Sequence, residues 1–488
     1  MLPDVALLEI FDFCLGDRDD LYLCHPYVED RLTAWYALVH VSRMWRNVVF
    51  GSPLRLNLRL YCVPHRTPVK ETMVTWPPLP IIVSEDCDEI RDNEKWADNM
   101  VAVFEHSDRI CRLNLAEIRS WQLENASAAM QEPFQALTHL SLCLKDGETA
   151  PILPNSFLGG SAPCLQDIFL CRIPFPGLPT VSLSTTHLVN LCLLEIPHSG
   201  YISPEAMVTS LSVLTTLEKL TIGFKSPQSR PDQKGRRPPP QTRTLLPILT
   251  RLQFEGVSEY LEDLVVRIDA PLLNFLRTTF FHQLTFDTPR LTQFISRCAP
   301  KFKTLDEARL EFFDDLRNTS VGLWSQQEPH FKWLIFGTPC NQSDWQLSFL
   351  TQACGLSLPQ GLIPTVKHLY IREFDSHGEP WQDDIEGSQW LELLHPFTAV
   401  KALYLSWNFT PRIAPALQEL VGESVAEVLP ALQTLFLEEP LLSGPVGDAI
   451  DQFVAARQLA GRPVAVSRWR WENDSEPDES SYENGVVN

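Results

Sequence analysis

The stretch Leu137-Thr138-His139-Leu140-Ser141-Leu142 decides how this chain is read, because its spacing returns along most of the sequence. Apolar residues stand at its first, fourth and sixth places. The same spacing gives Ile110-x-x-Leu113-x-Leu115, Leu165-x-x-Ile168-x-Leu170, Leu188-x-x-Leu191-x-Leu193, Leu217-x-x-Leu220-x-Ile222 and Leu249-x-x-Leu252-x-Phe254. It continues as Phe331-x-x-Leu334-x-Phe336, Val366-x-x-Leu369-x-Ile371, Val400-x-x-Leu403-x-Leu405 and Leu432-x-x-Leu435-x-Leu437. Weaker units centre on Leu310 with Phe312 and on Leu284 with Phe286. Starts are roughly 23 to 35 residues apart, a period at which a strand and its return make one stacking unit. Successive strand residues face opposite sides, so the fourth and sixth places share a face. One unit cannot bury that face alone; a stack of units can. Between the strands, segments such as residues 261–268 read as helical or irregular returns, and 39 prolines favour loop-rich ones.

Over residues 109–440 this pattern resembles leucine-rich repeats. The polar Asn or Cys ladder of that family is missing: its place holds Lys145 in one unit and Ile196 in another. The resemblance implies an irregular, leucine-rich-repeat-like α/β solenoid; a compact α/β domain with an ordinary parallel sheet is the alternative. Residues between the core positions then face the concave side. They include His139, Ser141, Asp167, Phe169, Lys219, Thr221, His368 and Ser406. Aromatics and Arg dominate binding hot spots. Trp333, Tyr370, Arg372, Tyr404 and Phe436 are therefore the partner-binding candidates, unless a loop or the C-terminal helix covers them. Lys219 and Arg372 would be the phosphate partners if recognition depends on phosphorylation.

The first sixty residues carry a second signature. Pro3 suits the first turn of a helix, and Asp4 and Glu9 suit its positive end. Leu7, Ile10, Phe11 and Cys14 fall at helical spacing on one face. A second helix is expected over about 32–41, and a third carries Trp45, Val48 and Val49 before Gly51-Ser52-Pro53. So small a segment leans on a partner or on the rest of the chain. The arrangement resembles the F-box, the three-helix module that docks the Skp-type adaptor of cullin–RING ubiquitin ligases. Leu2-Pro3, Leu7, Ile10-Phe11, Leu38-Val39 and Trp45-Arg46 carry the resemblance. The continuations 48–60 and Trp76-Pro77-Pro78-Leu79-Pro80-Ile81 are similar to those of basidiomycete F-box proteins. The acidic link Gly16–Asp30 is longer than usual, and the motif stands at the very start of the sequence. Both departures are expected to weaken docking and leave the fold intact. The resemblance implies Leu2, Pro3, Leu7, Ile10, Phe11, Leu38, Val39 and Trp45 as adaptor contacts or their support. A plain helical cap on a larger domain is the alternative.

The expected organisation is an F-box-like helical module at 1–60, a Pro-rich linker and N-terminal cap at 61–108, the solenoid at 109–440, a C-terminal cap at 441–471 and an acidic tail at 472–488. In the linker, 94–107 reads as an amphipathic helix with Trp96, Met100, Val103 and Phe104 inward. The insertion 225–243 is basic and Pro-rich and is expected to be a disordered loop; Lys234-Gly235-Arg236-Arg237 within it could serve nuclear import. Ile450, Phe453, Val454 and Arg457 predict a helix over 446–460, and Val464-Ala465-Val466 a strand.

A net charge of −21 argues against nucleic acid or anionic membrane as partners. The 12 cysteines are scattered, with no zinc spacing, and Asp4, Glu9 and Asp12 exclude a signal peptide. No apolar run reaches bilayer length. The expectation is an intracellular protein, cytoplasmic or nuclear. No nucleotide loop, nucleophile elbow or zinc-protease motif occurs, and the acid pairs Asp314-Asp315 and Asp383-Asp384 read as exposed loop charges. No catalytic residue, cofactor or metal is expected. The chain reads as a non-catalytic adaptor, with a Skp-type adaptor and its ligase on one side and a protein target on the other. A repeat scaffold that no longer docks the ligase is the second reading.

Overall fold

A computed structural model of the chain describes residues 3–15, 28–53, 56–65, 67–85, 94–154, 156–174, 187–231, 242–281, 288–298, 302, 305–313, 318–325, 332–339, 343–358, 361–374, 386–420, 424–438 and 444–469. Leu2, residues 16–27, Lys234–Arg237, Leu284 with Phe286, Asp314-Asp315, Phe331, Asp383-Asp384 and the 472–488 tail lie outside the described residues. The fold is mixed α/β and built on mostly parallel strands. It divides into two compact units. The first takes the described residues up to Ile202 with Thr209–Leu217; the second takes Ser203–Val208 and the described residues from Glu218 to 469. The division falls inside the stretch 109–440 that reads as one array in the sequence.

The first unit opens with helices α1 (Asp4–Leu15), α2 (Val28–Val41) and α3 (Arg43–Gly51). Ser42 caps α3, its hydroxyl accepting the Trp45 N–H at 3.1 Å. Phe11 of α1 meets Trp45 of α3 with ring centroids 4.8 Å apart. Leu7, Leu8, Phe11, Val39 and Val49 are buried between the three helices and the chain that follows. That core does not stand by itself. The Trp35 indole donates to the Arg59 backbone carbonyl at 3.0 Å, and Trp76 stacks on Tyr36 at 5.1 Å; Arg59 and Trp76 both belong to the chain that follows the three helices.

Strands β1 (Leu60–Cys62), β2 (Ile81–Glu85), β3 (Ile110–Ile118), β4 (His139–Leu144), β5 (Asp167–Cys171) and β6 (Asn190–Ile196) then pair in chain order, each parallel to the next. Helices α4 (Val69–Thr75), α5 (Glu94–Phe104) and α6 (Ser120–Ala129) lie among them. In α5, Trp96, Met100, Val103 and Phe104 are buried. The repeat spacing becomes stacked rungs: Leu113, Leu140, Ile168 and Leu191 stand in register, as do Leu115, Leu142, Leu170 and Leu193. All are 3% exposed or less. A cluster of charges stands at the ends of these strands. The chain leaves its strands through Glu117, Arg172 and Glu195, all at positive φ. Arg172 grips Glu195 through two bonds of 2.8 and 3.0 Å, donates to the Leu144 carbonyl at 3.1 Å and lies 3.6 Å from Glu117.

The second unit holds strands β7 (Lys219–Phe224), β8 (Thr244–Leu245), β9 (Arg251–Gly256), β10 (Ile268–Asp269), β11 (Phe275–Phe280), β12 (Glu307–Phe313), β13 (Asn318–Ser325), β14 (Lys332–Pro339), β15 (His368–Phe374), β16 (Ala402–Leu405), β17 (Thr434–Glu438) and β18 (Ala465–Trp469). Its helices are α7 (Ser258–Val265), α8 (Pro289–Cys298), α9 (Ser343–Gln352), α10 (Gly387–Leu394), α11 (Thr410–Gln418) and α12 (Pro445–Leu459). The main sheet runs β7-β9-β11-β14-β13-β12-β15-β16-β17-β18, with β8 and β10 a separate short pair. Two features are not carried by the repeat spacing read in the sequence. Strand β11 follows Leu273-x-x-Leu276-x-Thr278, where a buried Thr replaces the last apolar residue and hides the unit. Then β12, β13 and β14 form a meander in which β13 is antiparallel to both neighbours. The rungs pass through it unbroken: Leu220, Leu252, Leu276, Leu334, Leu323, Ala308, Leu369, Leu403 and Leu435 stand in register. Register, rather than chain direction, is what keeps the apolar face continuous.

At the end of the sheet, Arg457 on α12 is fully buried and donates to the carbonyls of Val425, Leu429 and Leu432 at 2.8 to 3.3 Å. It thereby ties the last helix to the turn before β17.

Candidate functional site

On the second unit's sheet, the side chains between the apolar rungs project to the opposite face. There the register sets aromatic rings beside one another. Tyr370 on β15 is level with Tyr404 on β16, and Tyr404 with Phe436 on β17. Adjacent strands are about 4.8 Å apart, so flat side chains level with each other stack. Tyr370 and Tyr404 do so at 4.2 Å and 13°, and Tyr404 and Phe436 at 4.4 Å and 5°. On the meander, Trp324 stacks on Trp333 at 6.1 Å, and Trp333 on Phe275 at 6.2 Å. Arg309 on β12 links the two groups, its guanidinium carbon 3.7 Å above the Trp324 ring and 5.7 Å from that of Tyr370. Arg251 covers Phe275 at 4.3 Å. From β18, Trp469 folds back and meets Tyr404 edge-on at 5.2 Å and Tyr370 at 6.1 Å.

The result is a band of rings across strands β11 to β18. Trp333, Tyr370, Tyr404, Phe436 and Trp469 are half-buried, while Phe275 and Trp324 are 9% and 6% exposed. The stacked rings occupy each other's faces and turn their edges outward. Burial raises the Tyr370 and Tyr404 phenols above their usual range, so both are neutral at pH 7. Burial also raises Glu307, which the Trp324 indole and Arg309 partly offset, and it lowers His368. Rigid, neutral, amphipathic rings held by their neighbours suit a contact surface, since little side-chain entropy remains to be lost on binding.

Of the sequence candidates, Trp333, Tyr370, Tyr404 and Phe436 are brought together in this band. Arg372 is not offered to it. It is 7% exposed and pairs with Glu311 at 2.5 and 3.0 Å across the β12–β15 register. Its guanidinium already neutralises a carboxylate, so the phosphate role considered for it is displaced. Sequence reading missed Trp324, Phe275 and Trp469. Trp324 sits on the antiparallel strand, which has no repeat spacing, and Phe275 on the unit hidden by Thr278. Alternation of Ser467 with Trp469 was the available signal for the third.

At the N-terminal module, Leu7, Phe11 and Val39 are buried, and Leu38 and Trp45 are half-buried. Ile10 does not share the inner face expected for it: it is 43% exposed. Val5 (64%) and Phe13 (89%) lie on the same outward side. With 100° per residue, positions 3, 5, 6, 9, 10 and 13 span one continuous arc, and Pro3 is exposed within it.

Among the described residues no three His, Cys, Asp or Glu side chains gather as a metal site, and no helix is long and apolar enough to cross a membrane.

No protein-family model and no curated protein matches this chain. Among solved structures, the leucine-rich repeat-containing protein LegL7 from Legionella pneumophila aligns over 83% of this chain and 97% of its own, at 13% identity and a TM-score of 0.26. A similarity that low does not define a shared fold.

Proposed function

We propose that this chain is a non-catalytic, protein-binding adaptor whose target docks on the aromatic face of the second unit. The observation that carries the reading is the band of half-buried, mutually stacked rings from Trp333 to Trp469. Half-exposed Trp and Tyr held in one rigid surface are the side chains that make binding hot spots. The sheet below it is read as an irregular leucine-rich-repeat-like solenoid, on the strength of the repeat spacing and the in-register rungs. The finer part of the proposal is that α1–α3 are an F-box that docks a Skp-type adaptor, which would place the target beside a cullin–RING ubiquitin ligase. The outward arc of Pro3, Val5, Ile10 and Phe13, with Glu9 among them, favours this: it exposes apolar side chains on a helix whose other side, Leu7 and Phe11, is already buried. In this reading the chain supplies proximity, the bound ligase supplies the chemistry, and the protein works in the cytoplasm or nucleus. A repeat scaffold without ligase docking is the second reading; the long acidic link after α1 favours it.

The target-binding claim is tested by placing a photo-reactive benzophenone side chain at position 436 and, as a control, at position 459, where Leu459 is 91% exposed. Irradiated with extract of the source cells, the chain labelled at 436 should give discrete protein adducts that disappear with Tyr404→Ala. Equal adducts from both positions, or none at 436, would contradict it.

A further inference from the structure

Strands β4 and β5 of the first unit place Cys143 level with Cys171. Neighbouring strands are about 4.8 Å apart, which falls inside the Cα separation of about 4.4–6.8 Å that a disulfide spans. Side chains level in register project to the same side of the sheet. The two cysteines are 3% and 6% exposed and unbridged, and the Cys143 thiol donates to the Leu144 carbonyl at 3.8 Å.

The surroundings make the pair asymmetric. Arg172 follows Cys171 directly, and its guanidinium is fixed by Glu195 and by the Leu144 carbonyl, next to Cys143. The neighbouring Cys171 thiol, helped by the Arg172 charge, holds the Cys143 thiol below its ordinary range against the effect of burial. The Cys143 sulfur beside it and burial raise Cys171. One sulfur is thus the better nucleophile, and the other keeps its proton beside it. Among the described strand cysteines, Cys62 stands level with Val83, and Cys192 with Phe169. Cys164 is exposed.

We propose that Cys143 and Cys171 are an oxidation site that forms a reversible cross-strand disulfide, with hydrogen peroxide as the oxidant. The Cys143 thiolate attacks one peroxide oxygen; the O–O bond breaks and, with one proton taken up, water leaves and a sulfenic acid remains. The Cys171 sulfur then attacks Cys143, its proton leaves with the departing hydroxyl as a second water, and the S–S bond forms. Two thiols and one peroxide give one disulfide and two waters. A small oxidant is required, because the pair is nearly enclosed. The bond would staple β4 to β5 beside the Arg172 ion cluster. A bridge between directly opposed residues of adjacent parallel strands is not relaxed, so it should be readily reduced.

The test is a peptide map of the intact, fully reduced chain after graded hydrogen peroxide, with remaining thiols alkylated under denaturing conditions. The expected result is a Cys143–Cys171 cross-linked peptide pair, lighter than the reduced peptides by two hydrogens, which dithiothreitol returns to free thiols. It should be absent from Cys143→Ser that retains its native circular dichroism. The proposal is overturned if Cys143 and Cys171 are both still alkylated at a peroxide level that has oxidised Cys164, or if Cys143 proceeds to sulfinic acid without the bridge. The map of the unmutated chain decides between these without relying on any variant.

Discussion

At the scale of the residue, the surface is governed by what each side chain has already been given. Arg372 and Tyr370 are two places apart on one strand and project to the same face, yet only Tyr370 joins the band of stacked rings. Glu311, level with Arg372 on the next strand, takes up its charge. Sequence shows that both residues alternate with the core; it does not show which strand lies beside them, because β12 reaches β15 only after a meander. His368 offers a direct check at this scale. Burial lowers its pKa from the usual 6.5. A histidine that binds its proton more weakly folded than unfolded favours the unfolded chain once protonated. Its contribution is fully present above pH 6.5 and is lost as the pH falls through the depressed folded value. Urea unfolding of wild type and His368→Gln, compared at about pH 7.5 and about pH 5.5, should show the variant losing less stability on acidification. Equal losses would mean that His368 does not feel this burial.

At the scale of the element, helices on the return side are stitched by buried charges that periodicity does not reveal. Glu262, near the end of α7 and 6% exposed, accepts the backbone N–H groups of Arg290 and Leu291 at 3.1 and 2.7 Å. It therefore supplies the missing acceptors of the first turn of α8, and Asp263 beside it holds Arg290 at 2.7 Å. Glu262→Ala leaves two enclosed donors without acceptors and should cost about 1–3 kcal/mol in urea unfolding. A change within about 0.5 kcal/mol, the range of an ordinary surface substitution, would show that water replaces the carboxylate there. Most of the strands were legible in sequence, because Leu-x-x-Leu-x-Leu reports burial directly. The exceptions have physical causes. Thr278 satisfies a buried rung position with a hydroxyl that donates to the Ile335 carbonyl at 3.4 Å, so a polar letter stands where an apolar one is expected. Strand β13 fills its rungs with Val321 and Leu323 in the reverse direction, where the forward spacing cannot find it.

At the scale of the molecule, the sequence shows a helical start and a long strand array, and the described residues give a mixed α/β fold with a largely parallel sheet. The division into two units near residues 202–218 was not legible, because the same Leu-x-x-Leu-x-Ile spacing runs across it. Four members of the aromatic band were legible as a list, since alternation places them opposite the core. Their stacking was not, because it depends on register between strands that lie tens of residues apart. The N-terminal module shows a similar limit. Helical spacing identified an apolar helix but assigned Ile10 to its inner face; only the packing of Phe11 on Trp45 fixes which side faces out.

That outward side carries the account's most consequential claim, that this chain couples a target to a ubiquitin ligase, and one measurement addresses it directly. The purified chain is titrated with a purified Skp-type adaptor, and the wild type is compared with Ile10→Asp plus Phe13→Asp and with Phe436→Asp. All three substitutions lie at exposed or half-buried positions, so native circular dichroism should be retained throughout. The account predicts that wild type and Phe436→Asp bind alike, while the α1 double variant loses binding by about tenfold or more. A folded wild type that ignores the adaptor, or an α1 variant that binds it as well as wild type, would contradict the claim.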